Sequence, residues 1–207
     1  MGSARLKSRR RQDLGSKWAR VTIAILSTIG VIDTGSITLN KWGLIGNLNC
    51  PGGIKGCDTV LNSPWGTFLE TSNLSIPLSL IGFISYLLIL FMAILPLIPI
   101  LKKQNNNISK AAWWVSFYIS ISNFIFSLIL IFLMIFKIKA FCFFCLLSSF
   151  ISLLILLLNI FGGGWEDYGK VFFRGFLVSI AVLLAGLIWS SSVDPSANVV
   201  SSNIKGM

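Results

Sequence analysis

The residues of this chain with the most chemistry in them are four cysteines in two close pairs. Cys142 and Cys145 enclose two phenylalanines in AFCFFCLLSSF, and Cys50 and Cys57 bracket PGGIKG, with Cys57 lying 85 residues before Cys142. A C-x-x-C pair can form a reversible disulfide or hold a metal ion. If it opens a helix, its residues at i and i+3 share one face, and the free N–H groups and positive dipole end of the first turn favour a thiolate at Cys142. Lys137 and Lys139 add positive charge just ahead of it. The Cys50/Cys57 segment holds one Pro and three Gly, which favour tight turns and a mobile backbone, and a mobile thiol pair exchanges with any disulfide it meets in line. Simpler readings stand beside the redox one. Cys50 and Cys57 can close a static disulfide, and Cys142 and Cys145 can be two small apolar residues of a helix. The four thiolates can also bind zinc, although the C-x6-C spacing exceeds the usual two to four residues and a phenylalanine-lined setting suits a doubly charged ion poorly.

The surroundings of the C-x-x-C pair decide what can react with it. Of 207 residues, 55% are hydrophobic, 12% are charged and none is histidine, with a mean hydropathy of +0.83, well outside the range of a soluble globular domain. Five runs are long enough for a bilayer core of about 30 Å: Trp18 to Leu39, Ile76 to Ile100, Ala112 to Phe136, Phe141 to Ile160 and Val171 to Ser190. They are apolar on every face, without the alternation of a transmembrane barrel. The first run lacks a small-residue cleavage site and exceeds a signal-peptide core, so it reads as a retained span. The expected fold is an all-α integral membrane protein with five transmembrane helices. Residues 1–17 form a basic leader, 18–190 the transmembrane domain with an outside loop at 40–75, and 191–207 a polar tail or linker. Within the loop, Leu61, Trp65, Phe68 and Leu69 suit a short helix on the membrane surface. Pro96 and Pro99 should kink or finish span two.

Lys and Arg number twelve in the leader and the second and fourth loops against five on the other side, so the positive-inside rule puts the N-terminus in the cytoplasm and the C-terminus and all four cysteines outside. The expected location is a bacterial inner membrane or a thylakoid membrane, with the cysteines in a periplasm or lumen where disulfides persist. The net charge of +10 then reads as a topology signal of the arm RLKSRRRQ, and no nucleic acid is expected as a partner. Six of seven tryptophans, Trp18, Trp42, Trp113, Trp114, Trp165 and Trp189, fall at expected span ends, where indole rings sit at headgroup level. Asp33, an acid in the outer part of span one, is expected to snorkel to the nearby interface. Spans three to five show few midplane polar groups, which argues against a transporter.

A thiol pair in an apolar setting needs an electron acceptor that lives in lipid, and a quinone fits, with Phe141, Phe143, Phe144 and Trp65 as candidate walls. At this point the motifs resemble a known family. C50-x6-C57-D-T-V-L-N-S63-P-W65-G, then IPLSLIGFISY from Ile76 to Tyr86, then F-C142-x-x-C145, resemble the vitamin K epoxide reductase family, in particular its bacterial and cyanobacterial members, from about Trp18 to Ile160.

The resemblance implies a four-helix bundle around a quinone near the outer surface, capped by the loop, with a peripheral fifth helix. It implies that Cys142 and Cys145 form the active-site pair, Cys145 nearest the quinone and Cys142 attacked by Cys57, while Cys50 exchanges with a thioredoxin-like partner. That partner is a separate protein or a removed C-terminal domain. Ser63 matches a family hydroxyl that bonds a quinone oxygen or supports the cap; on its own it is also an N-cap candidate. Where animal members carry a Tyr one turn after C-x-x-C, this chain has Ser149, and their span-two Asn falls on Leu78, which favours simple quinone reduction over vitamin K epoxide chemistry. The expected activity is thus a thiol:quinone oxidoreductase serving disulfide formation in exported proteins. Ubiquinone, plastoquinone, phylloquinone or menaquinone would be the acceptor, without a metal; Cys50, Cys57, Cys142 and Cys145 are catalytic, and Ser63, Trp65, Phe141, Phe144 and Ser149 stand at the quinone. The alternative is a non-catalytic membrane module with structural or metal-bound cysteines.

Overall fold

Each apolar run forms a helix, because a chain surrounded by lipid must satisfy its backbone N–H and C=O groups internally. The computed structural model describes residues 16–44, 59–60, 63–71, 74–97, 106–163, 165 and 167–193. Helix α1, Lys17–Lys41, starts at Ser16, whose Oγ accepts the Ala19 N–H at 3.2 Å, an ordinary N-cap. Its hydroxyls bond back along the same helix: Thr22 Oγ1 donates to Trp18 O, Thr34 to Gly30 O and Thr38 to Thr34 O, at 3.0, 2.7 and 2.8 Å, which makes polar side chains tolerable in an apolar span. Helix α2, Leu78–Ile94, tightens into a 3₁₀ turn at Leu95–Leu97, where Pro96 removes a helical donor. Helix α3, Asn106–Leu133, continues into a π-helical turn, Met134–Ile138, closed by Lys139 at φ 54°. Helix α4 is Phe143–Gly162 and α5 is Tyr168–Ser192. The five helices are long and apolar enough to cross a membrane, and the protein is an all-α membrane bundle.

The loop ahead of α2 departs from expectation. Among the described residues, 63–69 do not form the surface helix, and Leu61 lies outside the described residues. A 3₁₀ turn at Pro64–Gly66 leads into an antiparallel hairpin of β1, Thr67–Thr71, and β2, Leu74–Pro77, with Glu70 opposite Ser75 and a register shift between Thr67 and Leu69. Pro64 forces Ser63 out of the helical region, to ψ 158°, and Thr67, Phe68 and Thr71 favour extended backbone. Span two therefore starts at Leu78, because Ile76 and Pro77 belong to β2.

Helices α1 to α4 pack around a common core: α1 against α2 and α4, and α3 against α2 and α4. Helix α5 packs on the outer side of α3, where small residues admit bulky neighbours: Gly175 faces Phe117 and Gly186 faces Ile129. The core runs through Ile23, Tyr86, Ile89, Trp113, Ile151 and Ile155.

Two tryptophans expected at headgroup level are core residues. Trp113 is 2% exposed and Trp165 7%. The Arg20 guanidinium lies 4.9 Å from the Trp113 ring centre and donates to Ser109 Oγ at 3.0 Å. Trp165 Nε1 donates to the Ile160 carbonyl at 3.1 Å, and the Ser16 N–H bonds the Gly162 carbonyl at 3.0 Å. Together these contacts join the starts of α1 and α3 to the end of α4. Trp18 and Trp42 remain exposed, as interface anchors should.

Candidate active site

Cys142 is the N-cap of α4, immediately ahead of the span. Its Sγ accepts the Cys145 N–H at 3.4 Å, and its own N–H donates to Met134 Sδ at 3.3 Å. The π-helical turn makes the second contact possible: the wider coil and the left-handed Lys139 bring Met134 back over the start of α4. Cys142 is fully buried, in a small cluster with Met134 against which Val60, Phe144 and Cys145 pack. Its thiol is held below the ordinary value, chiefly by a hydrogen bond with the Cys145 side chain, against the opposing effect of burial and with help from the backbone N–H groups of Cys145 and Phe144. Cys142 and Cys145 are free thiols, unbridged.

Cys145, one turn further on, is half-buried and lines a cavity of about 430 Å³ inside the bundle, within the range of small-molecule sites. The wall is assembled from all five helices and the loop: Thr34, Ile37 and Lys41 of α1, Val60, Ser63 and Trp65 of the loop, Leu78, Gly82 and Tyr86 of α2, Ser122, Asn123 and Leu130 of α3, Met134 of the π turn, Ser148 of α4 and Val182 of α5. It is overwhelmingly apolar. Tyr86, 2% exposed, closes one side, its hydroxyl donating to the Ser148 carbonyl at 2.8 Å. The arrangement suits a flat, neutral, lipid-soluble molecule placed against a reactive sulfur.

A family model described as vitamin K epoxide reductase family matches residues 21–160, from α1 to the last turn of α4, about two thirds of the chain. The chain belongs to the vitamin K epoxide reductase family. Members of this family are membrane oxidoreductases, and this multi-pass membrane protein is one of them. The residues expected at the site of a vitamin K epoxide reductase family member fall into four groups. Cys145, Ser63 and Trp65 meet at the cavity. Phe144 packs against the cluster of Cys142 and Met134 and does not line the cavity. Phe141 is 56% exposed and Ser149 is buried, and neither lines the cavity. Cys50 and Cys57 lie outside the described residues. Ser63 Oγ donates to the Val60 carbonyl at 2.6 Å, so its hydroxyl braces the cap and keeps only lone pairs for a ligand.

Three features of the site were not anticipated. Helix α5, peripheral as expected on the outer side of α3, still contributes Val182 to the cavity wall. Span three is richer in polar groups than expected, with Ser122, Asn123 and Ser127 on the wall; the signal was visible as SISNFIFS within an apolar run. Asp33 does not snorkel. It is 6% exposed, and both carboxyl oxygens are buried without a hydrogen-bond partner among the described residues. Two methylene-length bonds cannot carry an Asp across the two turns that separate it from the end of α1 at Lys41. A buried polar group without a partner costs about 1–3 kcal/mol, so Asp33→Leu is expected to raise the thermal unfolding midpoint in detergent. A fall would show that the carboxyl is partnered in the folded protein.

Proposed function

We propose that this protein oxidises a dithiol outside the membrane and delivers the electrons to quinone at the cavity beside Cys145. One observation carries the reading: Cys145 opens onto an apolar cavity within the bundle, while Cys142, fully buried in the cluster with Met134 against which Val60 packs, does not line it. The two sulfurs therefore face different clients. Cys57 precedes Val60 by three residues, a stretch of chain that spans at most about 11 Å, which supports Cys57 as the thiol that reaches Cys142. Electrons run from a thioredoxin-like dithiol to Cys50/Cys57, then to Cys142/Cys145, then to quinone. In the last step the Cys142 and Cys145 thiols give up two electrons and two protons, the S–S bond forms, and the quinone takes both to become quinol.

Cys57 attacks Cys142 and Cys145 departs. Cys50 then attacks Cys57, releasing Cys142, whose lowered thiol value makes it a good leaving group in that step, and the resulting Cys50–Cys57 disulfide is reduced by the partner. Ser63 and Trp65 close the cap over the ring, and Phe144 packs behind the pair. Residues 18–190 form the catalytic unit, residues 1–17 lie in the cytoplasm, and residues 191–207 and the four cysteines lie outside, in keeping with the charge distribution. The site takes one of the lipid-soluble quinones and supports disulfide formation in exported proteins.

The experiment compares two reductants. Cys57→Ser and Cys50→Ser are expected to lower quinol formation from a reduced thioredoxin-like protein by roughly 10²-fold or more, while dithiothreitol, small enough to reduce the inner pair directly, still supports it. Equal losses with both reductants would remove the loop pair from the path.

A further inference from the structure

The cavity wall has a polarity that its apolar composition conceals. Among the described residues, the buried side-chain atoms without a hydrogen-bond partner include the Trp65 Nε1–H and the Asn123 Nδ2 amide, and both residues line the cavity. Both atoms are N–H donors. The unpartnered acceptors, the Asp33 carboxyl oxygens and Asn159 Oδ1, belong to residues that do not line it. Several hydroxyls along the same wall are already committed: Ser63 donates to Val60 O, Ser85 to Ile81 O and Ser122 to Tyr118 O, and Ser79 pairs with Thr38 Oγ1. Lys41 of α1, a cationic residue, also lines the cavity; the buried donors of the wall that lack a partner are two N–H groups, one from the cap and one from α3, with no acidic side chain beside them. Buried donors are nearly always satisfied, so two unsatisfied donors on one cavity point to a ligand with two acceptors.

We infer that Trp65 and Asn123 are the two hydrogen-bond donors that position the quinone ring, each to one of its two carbonyl oxygens. The inference rests on the function proposed above. An oxidised quinone ring carries two acceptor oxygens and no donor, the complement of what the wall presents. As the electrons arrive from Cys145, negative charge grows on those same oxygens, and N–H groups already in place stabilise it without reorganising. The donors come from separate elements, so the ring is held between the cap and the bundle.

The test uses the full chain in detergent, with dithiothreitol as reductant and a short-chain ubiquinone analogue as acceptor. Trp65→Phe keeps an aromatic wall and removes the N–H; Asn123→Leu removes the amide at similar volume, with Asn123→Ser as a smaller second variant. Each is expected to raise the quinone KM about ten-fold, the effect of one lost hydrogen bond, and Trp65→Phe combined with Asn123→Leu about a hundred-fold, because donors to different oxygens act independently. Without quinone, the variants should melt no lower than the parent protein, since a donor with no partner adds nothing to the fold. Unchanged KM and kcat in Trp65→Phe and in both Asn123 variants would overturn the inference while leaving the parent reading standing. So would a lower melting point with unchanged KM, which would make the two groups structural. A parent protein that forms no quinol from dithiothreitol would overturn both.

Discussion

Cys145→Ala is expected to reduce quinol formation to the uncatalysed background, a loss of roughly 10³-fold or more, with the five helices still assembled. The substitution removes one half-buried sulfur at the cavity wall and little else. The hydrogen bond to Cys142 Sγ that caps α4 comes from the backbone N–H of residue 145, so an alanine keeps it, and alanine is the best helix former. What disappears is the only route from the pair to the cavity: Cys142 is fully buried in the cluster with Met134 and does not line it. Without Cys145, Cys142 has no partner with which to form the inner disulfide, so an incoming thiol finds no S–S bond to exchange with and the electrons stop at the loop pair. Quinol absorbance with dithiothreitol, alongside circular dichroism of the purified variant, checks both halves of the expectation. Retained turnover would place the reacting sulfur elsewhere.

Gly30→Val should produce a large effect at a distance from the cysteines. A Cβ at residue 30 would lie 2.7 to 2.8 Å from Cγ, Cδ1 and Cε1 of Tyr86, closer than carbon atoms approach without something moving. Tyr86 has nowhere to go: it is 2% exposed, its hydroxyl is tied to Ser148, and its ring forms part of the cavity wall. Overpacking of this kind costs about 3 kcal/mol, only partly offset by the better helix propensity of valine over glycine. The displaced ring should also narrow the cavity, so the variant is expected to lose quinone reduction beyond what its lower melting point explains. Comparing activity at a temperature where both proteins are folded separates the two effects. A variant with parental melting and parental activity would show that α1 and α2 slide apart freely at this contact, against the packing described here.

The five spans were legible because each carries its own signal: about twenty apolar residues must be helical in lipid, whatever their neighbours. The C-x-x-C pair at the start of α4 was legible for the same reason, since a span boundary and a spacing of three fix the N-cap geometry locally. Ser63 and Trp65 at the cavity followed from their place after Cys57 in the motif. What was not legible depended on partners distant in sequence. Trp113 has the composition of an interface anchor, and only the approach of Arg20 and Ser109, 89 residues apart, makes it a core residue. The β1/β2 hairpin arose from Pro64 excluding the helix that the apolar spacing suggested. Asn123 and Asp33 were visible as polar groups within apolar runs, but the sequence does not show which faces the cavity and which is sealed away from it. Phe141 and Phe144, neighbours of the same cysteine, part company because α4 begins at Phe143: one is left exposed and the other turns under Cys142.

The most direct test of the central claim is to count free thiols before and after quinone. Protein reduced with dithiothreitol, freed of it by gel filtration and incubated with a short-chain ubiquinone analogue without oxygen, is alkylated and read by mass spectrometry, in a background where Cys50 and Cys57 are both Ser. The account predicts that Cys142 and Cys145 go from two alkylated thiols to none, with one quinol formed per protein. Two alkylated thiols after quinone addition, with quinone demonstrably bound, would contradict it.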